Sequence, residues 1–280
     1  MSAVASPFLP RLPRLFRRMH GGKLQRWLFG GWTILVFAFL YIPIGLLVLF
    51  SFNESRLNIQ WEGFSLRWYG ELMHNRTLLV AFQNSMIVAV ATTILATLLG
   101  TAGAWMLYRY RFPFRQSIGL LIFIPMVIPE VLMGASLLAQ FVHLMHLPLG
   151  HFTLIIAHTT FSFPFVLVGV QARLEGLDPA LEEAAMDLGA APMRAFREVV
   201  LPYLLPAIIA GALMAFTLSL DEYIVSVFTS GAASQTLPLK VYGMARVGLN
   251  PQLNALSAIF IFATVLLVLG SQLVTRKKTP

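Results

Sequence analysis

The sequence predicts an all-α membrane protein with six transmembrane helices and both termini in the cytoplasm, and three observations lead to this prediction. The 280 residues are 58% hydrophobic and only 11% charged, so a water-soluble domain could not bury so much apolar surface. Six apolar segments are each long enough, at about 1.5 Å per residue, to cross a hydrocarbon core of about 30 Å. Basic residues are concentrated in alternate linkers.

The predicted transmembrane segments follow a basic tail at residues 1–26, which contains no acidic residue and several prolines that discourage helix formation. We expect the tail to be disordered. The first apolar segment is too long for the apolar region of a signal peptide, so it is predicted to remain as a transmembrane helix. Residues 27–280 are then one transmembrane domain. Its spans are residues 27–50, 80–107, 117–142, 152–172, 203–228 and 253–274.

The basic residues predict the orientation of the chain. Of the 20 lysines and arginines, 15 lie in one set of alternate linkers, and the remaining 5 are Arg56, Arg67, Arg76, Lys240 and Arg246. The positive-inside rule places the richer set, with both termini, in the cytoplasm. The net charge of +8 is therefore explained by topology, and nucleic-acid binding is not expected.

The linker 51–79 is predicted to contain a helix that lies in the outer membrane interface. Its aromatic residues include Trp61, Phe64, Trp68 and Tyr69. Such rings are enriched where apolar and wet environments meet, so this composition is typical of an interfacial segment.

The linker 175–206 has a high density of charged residues for the interior of this apolar chain, and it is predicted to form two short amphipathic helices. Asp178 is a favourable N-cap for the first helix, and Gly189 is expected to end it in a turn. Pro192 is expected to begin the second helix. Pro202 and Pro206 are expected to break the chain before it returns to the membrane.

The same linker carries a spacing pattern. Its residues are Glu183-Ala184-Ala185, three intervening residues, Gly189, Phe196 and Leu201-Pro202. This pattern resembles the EAA signature of the permease subunits of ABC importers, with Val199 in place of the usual isoleucine. The resemblance implies the type I ABC importer permease fold.

The resemblance also implies a role for the linker as the coupling loop, whose short helix docks in a groove of a cytoplasmic ATPase. Glu183 would meet a basic residue of the ATPase, Ala184 and Ala185 would permit close approach, and Gly189 would form the turn. The residues expected to take part in coupling are Glu182, Glu183, Ala184, Ala185, Asp187, Gly189 and Phe196.

Three acidic residues lie inside apolar predicted spans. Glu130 is near the middle of the third span, just after Pro125 and Pro129, and Asp221 and Glu222 are in the fifth. A carboxylate at such a depth costs several kcal/mol unless it is paired, hydrated or protonated. Two interpretations remain open. The acids line a path for a cation, or they are protonated or paired with a basic residue of a partner subunit.

A wider resemblance bears on the solute. The basic tail, the six spans and the segments 65–72, 124–134 and 218–231 are similar to the putrescine/spermidine-type permeases of ABC importers. The resemblance implies import of a polyamine, with Tyr223 offering a ring face to an ammonium group. The implied pathway residues are Glu130, Asp221, Glu222 and Tyr223. Since neighbouring helical residues point about 100° apart, we expect only one of Asp221 and Glu222 to face the path.

The resemblance further implies an assembly in the bacterial cytoplasmic membrane. Its expected members are a second, non-identical permease, two ABC ATPases and an extracytoplasmic polyamine-binding protein. No G-x-x-x-x-G-K-[ST] loop is present, so ATP and Mg²⁺ are expected on the ATPase, and this chain is expected to hold no cofactor and to be no enzyme.

Alternatives to a polyamine remain open. The same fold could import another solute, such as an amino acid, or the chain could be an ion-coupled secondary transporter whose acids bind protons or sodium. A metal site formed by His143, His146, His151 and His158 around one predicted outer turn is not expected, because no acid is near them in sequence and the chain has no cysteine.

Overall fold

The computed structural model describes residues 23–56, 60–248 and 251–276, with side chains described from residue 27 and up to residue 266. Most of the predicted basic tail therefore lies outside the described residues. Within them, the regular secondary structure is helical. The helices are α1 (Lys23–Phe50), α2 (Arg67–His74), α3 (Arg76–Arg109), α4 (Arg115–Val127), α5 (Glu130–Ala139), α6 (His151–Leu174), α7 (Pro179–Asp187), α8 (Pro192–Ala195), α9 (Leu201–Asp221), α10 (Ile224–Thr229), α11 (Leu237–Val247) and α12 (Pro251–Arg276).

Four helical segments of the described chain are long and apolar enough to cross a membrane, or five if α4 and α5 count as one bent span. The four are Trp27–Phe50, Arg76–Arg109, His151–Leu174 and Pro192–Asp221. The first three agree closely with predicted spans. The sixth predicted span, 253–274, coincides with α12, whose apolar part with described side chains ends at Leu266. Six spans therefore remain a prediction.

The centre of the bundle is formed by α3, α6 and α9, which pack against one another. Small residues permit this close packing. A Cβ atom added to Gly100 of α3 would lie 2.7 Å from the Cβ atom of Val166 on α6. Ala96 and Ala104, one turn to either side, are fully buried. Because such contacts depend on close backbone approach, any larger residue at position 100 would separate the two helices.

The third predicted span, 117–142, is wrong as a continuous helix. The chain bends by 107° between α4 and the segment that begins with α5. Ile128 precedes a proline and is extended (φ −66°, ψ 133°), as is Pro129 itself (φ −53°, ψ 131°). The ring of Pro129 disfavours helical geometry in the preceding residue, which explains the break. Glu130, predicted near the middle of a span, is instead the first residue of α5.

The fifth predicted span, 203–228, differs from the structure at both ends. The expected break at Pro202 and Pro206 does not occur, because helical structure continues from Pro192 to Asp221. A π-helical turn at Phe196–Val200 precedes Pro202, and the backbone N–H of Leu201 donates to the carbonyl of Phe196. A π turn changes the hydrogen-bonding register locally, so the missing N–H of a proline is accommodated without interrupting the helix.

The far end of the same span is also shorter than predicted. Glu222 is extended (φ −67°, ψ 109°), so α9 ends at Asp221 and α10 begins at Ile224. The chain has neither proline nor glycine at this break.

The end of the bundle opposite the 175–206 loop is covered by α2 and α11. The linker predicted to contain an interfacial helix does contain a helix, α2, which buries Trp68 and Leu72, whereas α11 was not predicted. The Trp68 indole donates to the carbonyl oxygen of Asn53 over 2.6 Å. The Arg67 guanidinium, which donates to Glu71 over 2.6 Å, holds the pKa of the Glu71 carboxyl below its usual value, and the Gln252 amide adds to this effect.

Candidate functional site

The two breaks in the predicted spans meet at one cavity of about 340 Å³. Its lining consists of Glu130, Phe161, Thr217, Leu218, Asp221, Glu222, Tyr223 and Ile224. The structure therefore brings together the four residues that were predicted to line a pathway. The size falls in the range of small-molecule sites, and aromatic and apolar walls surround the three carboxyl groups.

The neighbouring acids Asp221 and Glu222 have different environments. Glu222 is only 6% exposed, and its Oε1 atom accepts a hydrogen bond of 2.8 Å from the backbone N–H of Val225. It thereby satisfies one of the unpaired donors in the first turn of α10. Asp221, the last residue of α9, is exposed. The two acids therefore differ in exposure, but both line the cavity, so the expectation that only one of them faces it is not met. The helical spacing behind that expectation ends at Asp221, because Glu222 is extended.

Glu130 reaches the same cavity from α5. It lies in the first turn of that helix, where the helix dipole favours a negative side chain. Helices α5 and α10 lie against each other, and a Cβ atom added to Gly134 of α5 would be only 2.5 Å from Cδ2 of Phe228 on α10. The absence of a side chain at Gly134 thus sets how closely the two short helices, and with them the acids at their starts, approach each other.

Tyr223 is half-buried and packs against Tyr242 of α11, with 4.4 Å between the ring centroids. The Arg246 guanidinium lies 5.4 Å from the centroid of the Tyr242 ring. Sequence reasoning missed Tyr242 because it did not predict α11. A usable signal was present, since Pro238 lies in the first turn of that helix, where proline is favoured.

His158 of α6 lies at the same level of the bundle, in contact with both sides of the Glu222 break. One ring nitrogen, Nδ1, is 2.8 Å from the hydroxyl oxygen of Ser219 on α9. The other, Nε2, is 2.9 Å from the hydroxyl oxygen of Ser226 on α10. In the sequence, His158 lies near three other histidines. The structure gives them different partners: His158 contacts the two serines, whereas the His151 ring contacts the side chain of Asn84. Among the described residues, no group of three or more His, Cys, Asp or Glu residues is placed to hold a metal ion.

The predicted helix start and turn of the 175–206 loop are confirmed. The carboxylate of Asp178 accepts a hydrogen bond of 3.0 Å from the backbone N–H of Ala180, so it caps α7. Gly189 follows the end of α7 and has φ of +89°, a conformation that favours glycine. Pro192 begins α8, as predicted.

The two faces of α7 differ in their partners. Glu182 is buried, and its Oε1 atom lies 3.5 Å from Nη2 of Arg109 at the end of α3. On the other side lies a surface that we call the exposed loop face. Its members are Leu181, Glu183, Ala184, Asp187 and Leu188.

The remaining predicted coupling residues lie nearer the bundle. Ala185 is half-buried. Phe196, also half-buried, packs against Trp105 of α3 with 4.7 Å between the ring centroids. Glu182 and Phe196 therefore attach the loop to its own bundle, whereas Glu183 and Asp187 are available to another protein.

Comparison with known proteins agrees with the resemblance seen in the sequence. The family model described as "Binding-protein-dependent transport system inner membrane component" matches residues 96–276. The "Spermidine/putrescine transport system permease protein PotC" of Escherichia coli (strain K12) is 43% identical over 258 residues, which cover 92% of this chain and 96% of PotC. The "Putrescine transport system permease protein PotI" of the same strain is 42% identical over 242 residues, covering 83% and 86%.

Solved structures share the fold. A chain of a bacterial alginate ABC transporter, crystallised with an alginate pentasaccharide-bound periplasmic protein, superposes with a TM-score of 0.72 at 15% identity, covering 95% of this chain and 99% of that one. The relatives are transport permeases rather than enzymes. The apolar helices, the capped loop with its glycine turn and the family match over residues 96–276 lead to one conclusion: the chain belongs to the inner membrane components of binding-protein-dependent transport systems.

Proposed function

We propose that this chain is a permease subunit of an ATP-driven ABC importer that moves putrescine or spermidine into the cell. One observation carries the proposal: Glu130, Asp221 and Glu222 line a single cavity within a bundle of apolar helices. Carboxyl groups in such surroundings mark a path for cations, and aromatic rings beside them favour ammonium groups. The names of the relatives PotC and PotI support the choice of a polyamine.

The acids contribute unequally in this proposal. Asp221 is exposed in the cavity and is best placed to contact an ammonium group directly. Glu130 lines the same cavity from another helix, so a second ammonium group of the same molecule can interact with it. Glu222 already accepts a backbone hydrogen bond, so it contributes negative charge while it holds the start of α10. Tyr223 and Phe161 provide apolar walls for the methylene chain.

The energy for transport would come from ATP hydrolysis by a separate subunit and would reach this chain through the 175–206 loop. The exposed loop face would dock in a groove of an ABC ATPase, which binds ATP and Mg²⁺, while this chain holds no cofactor. The full importer would contain two non-identical permeases, two ATPases and an extracytoplasmic polyamine-binding protein. This chain would cross the bacterial cytoplasmic membrane six times in the type I permease fold, with the loop and both termini in the cytoplasm.

The proposal is tested by uptake of labelled putrescine in cells that contain every partner. Asp221→Asn and Glu130→Gln should each lower uptake about tenfold, since each removes a charge from the path. The triple variant with Glu222→Gln should abolish uptake. Glu62→Gln, a substitution at an exposed acid outside this cavity, is the matched control. Co-purification of the ATPase should be unchanged throughout, and undiminished uptake by the triple variant would refute the cation path.

A further inference from the structure

His158 occupies a position that the transport proposal does not use. Its side chain is 1% exposed and does not line the cavity, so it cannot touch a solute there. It reaches across from α6 to Ser219, which is two residues before Asp221, and to Ser226, which is four residues after Glu222. One imidazole thus joins the two helices on either side of the acidic turn.

Each hydrogen bond of this network has an assignable donor and acceptor. The Ser226 hydroxyl has a single proton, which it donates to the Glu222 carbonyl oxygen over 2.9 Å. Its oxygen must therefore accept from Nε2–H of His158. In the neutral ring Nδ1 is then an acceptor, so the Ser219 hydroxyl donates to it. The result is a continuous chain of hydrogen bonds that runs from α9 through His158 to the backbone of Glu222.

The network lies at a break whose geometry is not fixed by the neighbouring residues of the chain. The break at Glu222 contains neither proline nor glycine. The hydrogen bond from Val225 to the Glu222 side chain fixes only the start of α10. The direction of α10 relative to α9 therefore depends on contacts with other elements, of which Gly134 of α5 is one and His158 is another.

We propose that His158 is a positioning residue that sets the orientation of the Asp221–Glu222 turn and thereby the placement of its carboxyl groups in the cavity. The part that concerns the solute rests on the proposed function. The part that concerns the turn does not, because it follows from the hydrogen bonds between α6, α9 and α10.

The first experiment measures the position of the turn without any solute. The chain contains no cysteine, so single cysteines can be placed at Ile224, just after the break, or at Thr217, before it on α9. Both positions line the cavity, and Thr217 is the matched control. Their rates of alkylation by a small thiol reagent are compared in the assembled importer, in three backgrounds: the parent, His158→Leu and His158→Gln.

We expect His158→Leu to change the alkylation rate at position 224 at least threefold and to leave position 217 within twofold. His158→Gln, which retains a donor and an acceptor, should restore much of the parental rate. The leucine variant should fold, since leucine is of similar size and both serine hydroxyls can bond to carbonyl groups of their own helices. Equal rates at position 224 in the parent and in His158→Leu would overturn the inference.

The second experiment separates positioning from general damage. In putrescine uptake, His158→Leu should raise KM about tenfold, as expected for loss of one to two hydrogen bonds, and leave the maximal rate within twofold. His143→Leu, the same change at an exposed histidine, should alter neither. A fall in the maximal rate with unchanged KM would overturn the role in placing the acids. A changed alkylation pattern without any putrescine uptake by the parent would instead refute the solute assignment and uphold the positioning role.

Discussion

The guanidinium of Arg109, at the end of α3, lies 3.5 Å from the carboxylate of Glu182 in α7. The pair fastens the short loop helix to the central bundle at one point. Glu183, the next residue, points about 100° away around the helix and is exposed. Two adjacent acids of the same loop therefore differ in their surroundings: Glu182 is paired within this chain, whereas Glu183 is exposed.

Substitutions at these two acids should have different effects. Glu182→Lys places a like charge against Arg109 and should loosen the loop, with a cost of about 1–2 kcal/mol because the pair is partly shielded from water. Faster proteolysis of the 175–206 loop in the isolated permease measures this effect. Glu183→Lys should leave proteolysis unchanged and weaken co-purification of the ATPase. The double variant Arg109→Glu with Glu182→Lys should restore protection, and failure to do so would show that the pair does not hold the loop.

The glycine turn offers a second prediction. Gly189 has φ of +89° and nothing within 4 Å of the position that a Cβ atom would occupy, so substitutions there are limited by backbone strain rather than by space. Gly189→Val should cost about 1–2 kcal/mol in the turn and abolish transport while the protein is still inserted in the membrane. Gly189→Asn should retain much of the transport, because asparagine tolerates positive φ. Equal transport by the two variants would contradict this explanation.

A third prediction concerns the contact between α5 and α10. Gly134→Ala places a Cβ atom about 2.5 Å from the Phe228 ring, so the two helices must separate or the ring must move. Such overpacking costs about 1–3 kcal/mol, and the melting temperature of the purified permease should fall. Phe228→Leu combined with Gly134→Ala should recover part of the loss. Gly119→Ala is the matched control, because its Cβ atom would meet nothing within 4 Å.

The hydrogen bond between Glu222 and Val225 allows charge to be separated from structure. Glu222→Ala removes the acceptor and should destabilise the start of α10 by about 1 kcal/mol, as loss of a helix cap does. Glu222→Gln keeps an acceptor and should preserve the melting temperature while it lowers putrescine uptake. Asp221→Asn, at an exposed position, should also preserve it. A melting temperature lowered equally by all three substitutions would show that the hydrogen bond has no special role.

The predicted topology can be tested with cysteines at exposed sites. Met73 of α2 is 66% exposed and Met193 of α8 is 74% exposed, so both positions are open to reagents. A cysteine at position 73 should react with a membrane-impermeant maleimide in intact cells. A cysteine at position 193 should react only after the cells are opened. Labelling of position 193 in intact cells would reverse the orientation assigned from the basic residues.

Features that depend on a few neighbouring residues could be predicted from the sequence. The cap at Asp178 and the turn at Gly189 are of this kind, because capping and positive φ involve only adjacent backbone groups. The apolar segments that form α1, α3 and α6 could also be predicted, because the cost of burying polar groups in lipid applies to every residue of a span. The family followed from the same local spacing.

The tertiary structure decided those features that depend on contacts between residues far apart in the sequence. Nothing near Glu222 in the sequence signals a break, and the helices on either side of it are joined by hydrogen bonds of Ser219 and Ser226 with His158 on another helix. The Glu182 side chain likewise has its partner on a distant helix, because its carboxylate pairs with Arg109 of α3. The sequence determined that acids lie within apolar segments, since the order of residues along the chain shows this directly. Only the folded bundle decided that Glu130 and Asp221 share one cavity, because both breaks had to form and α5 had to pack against α10.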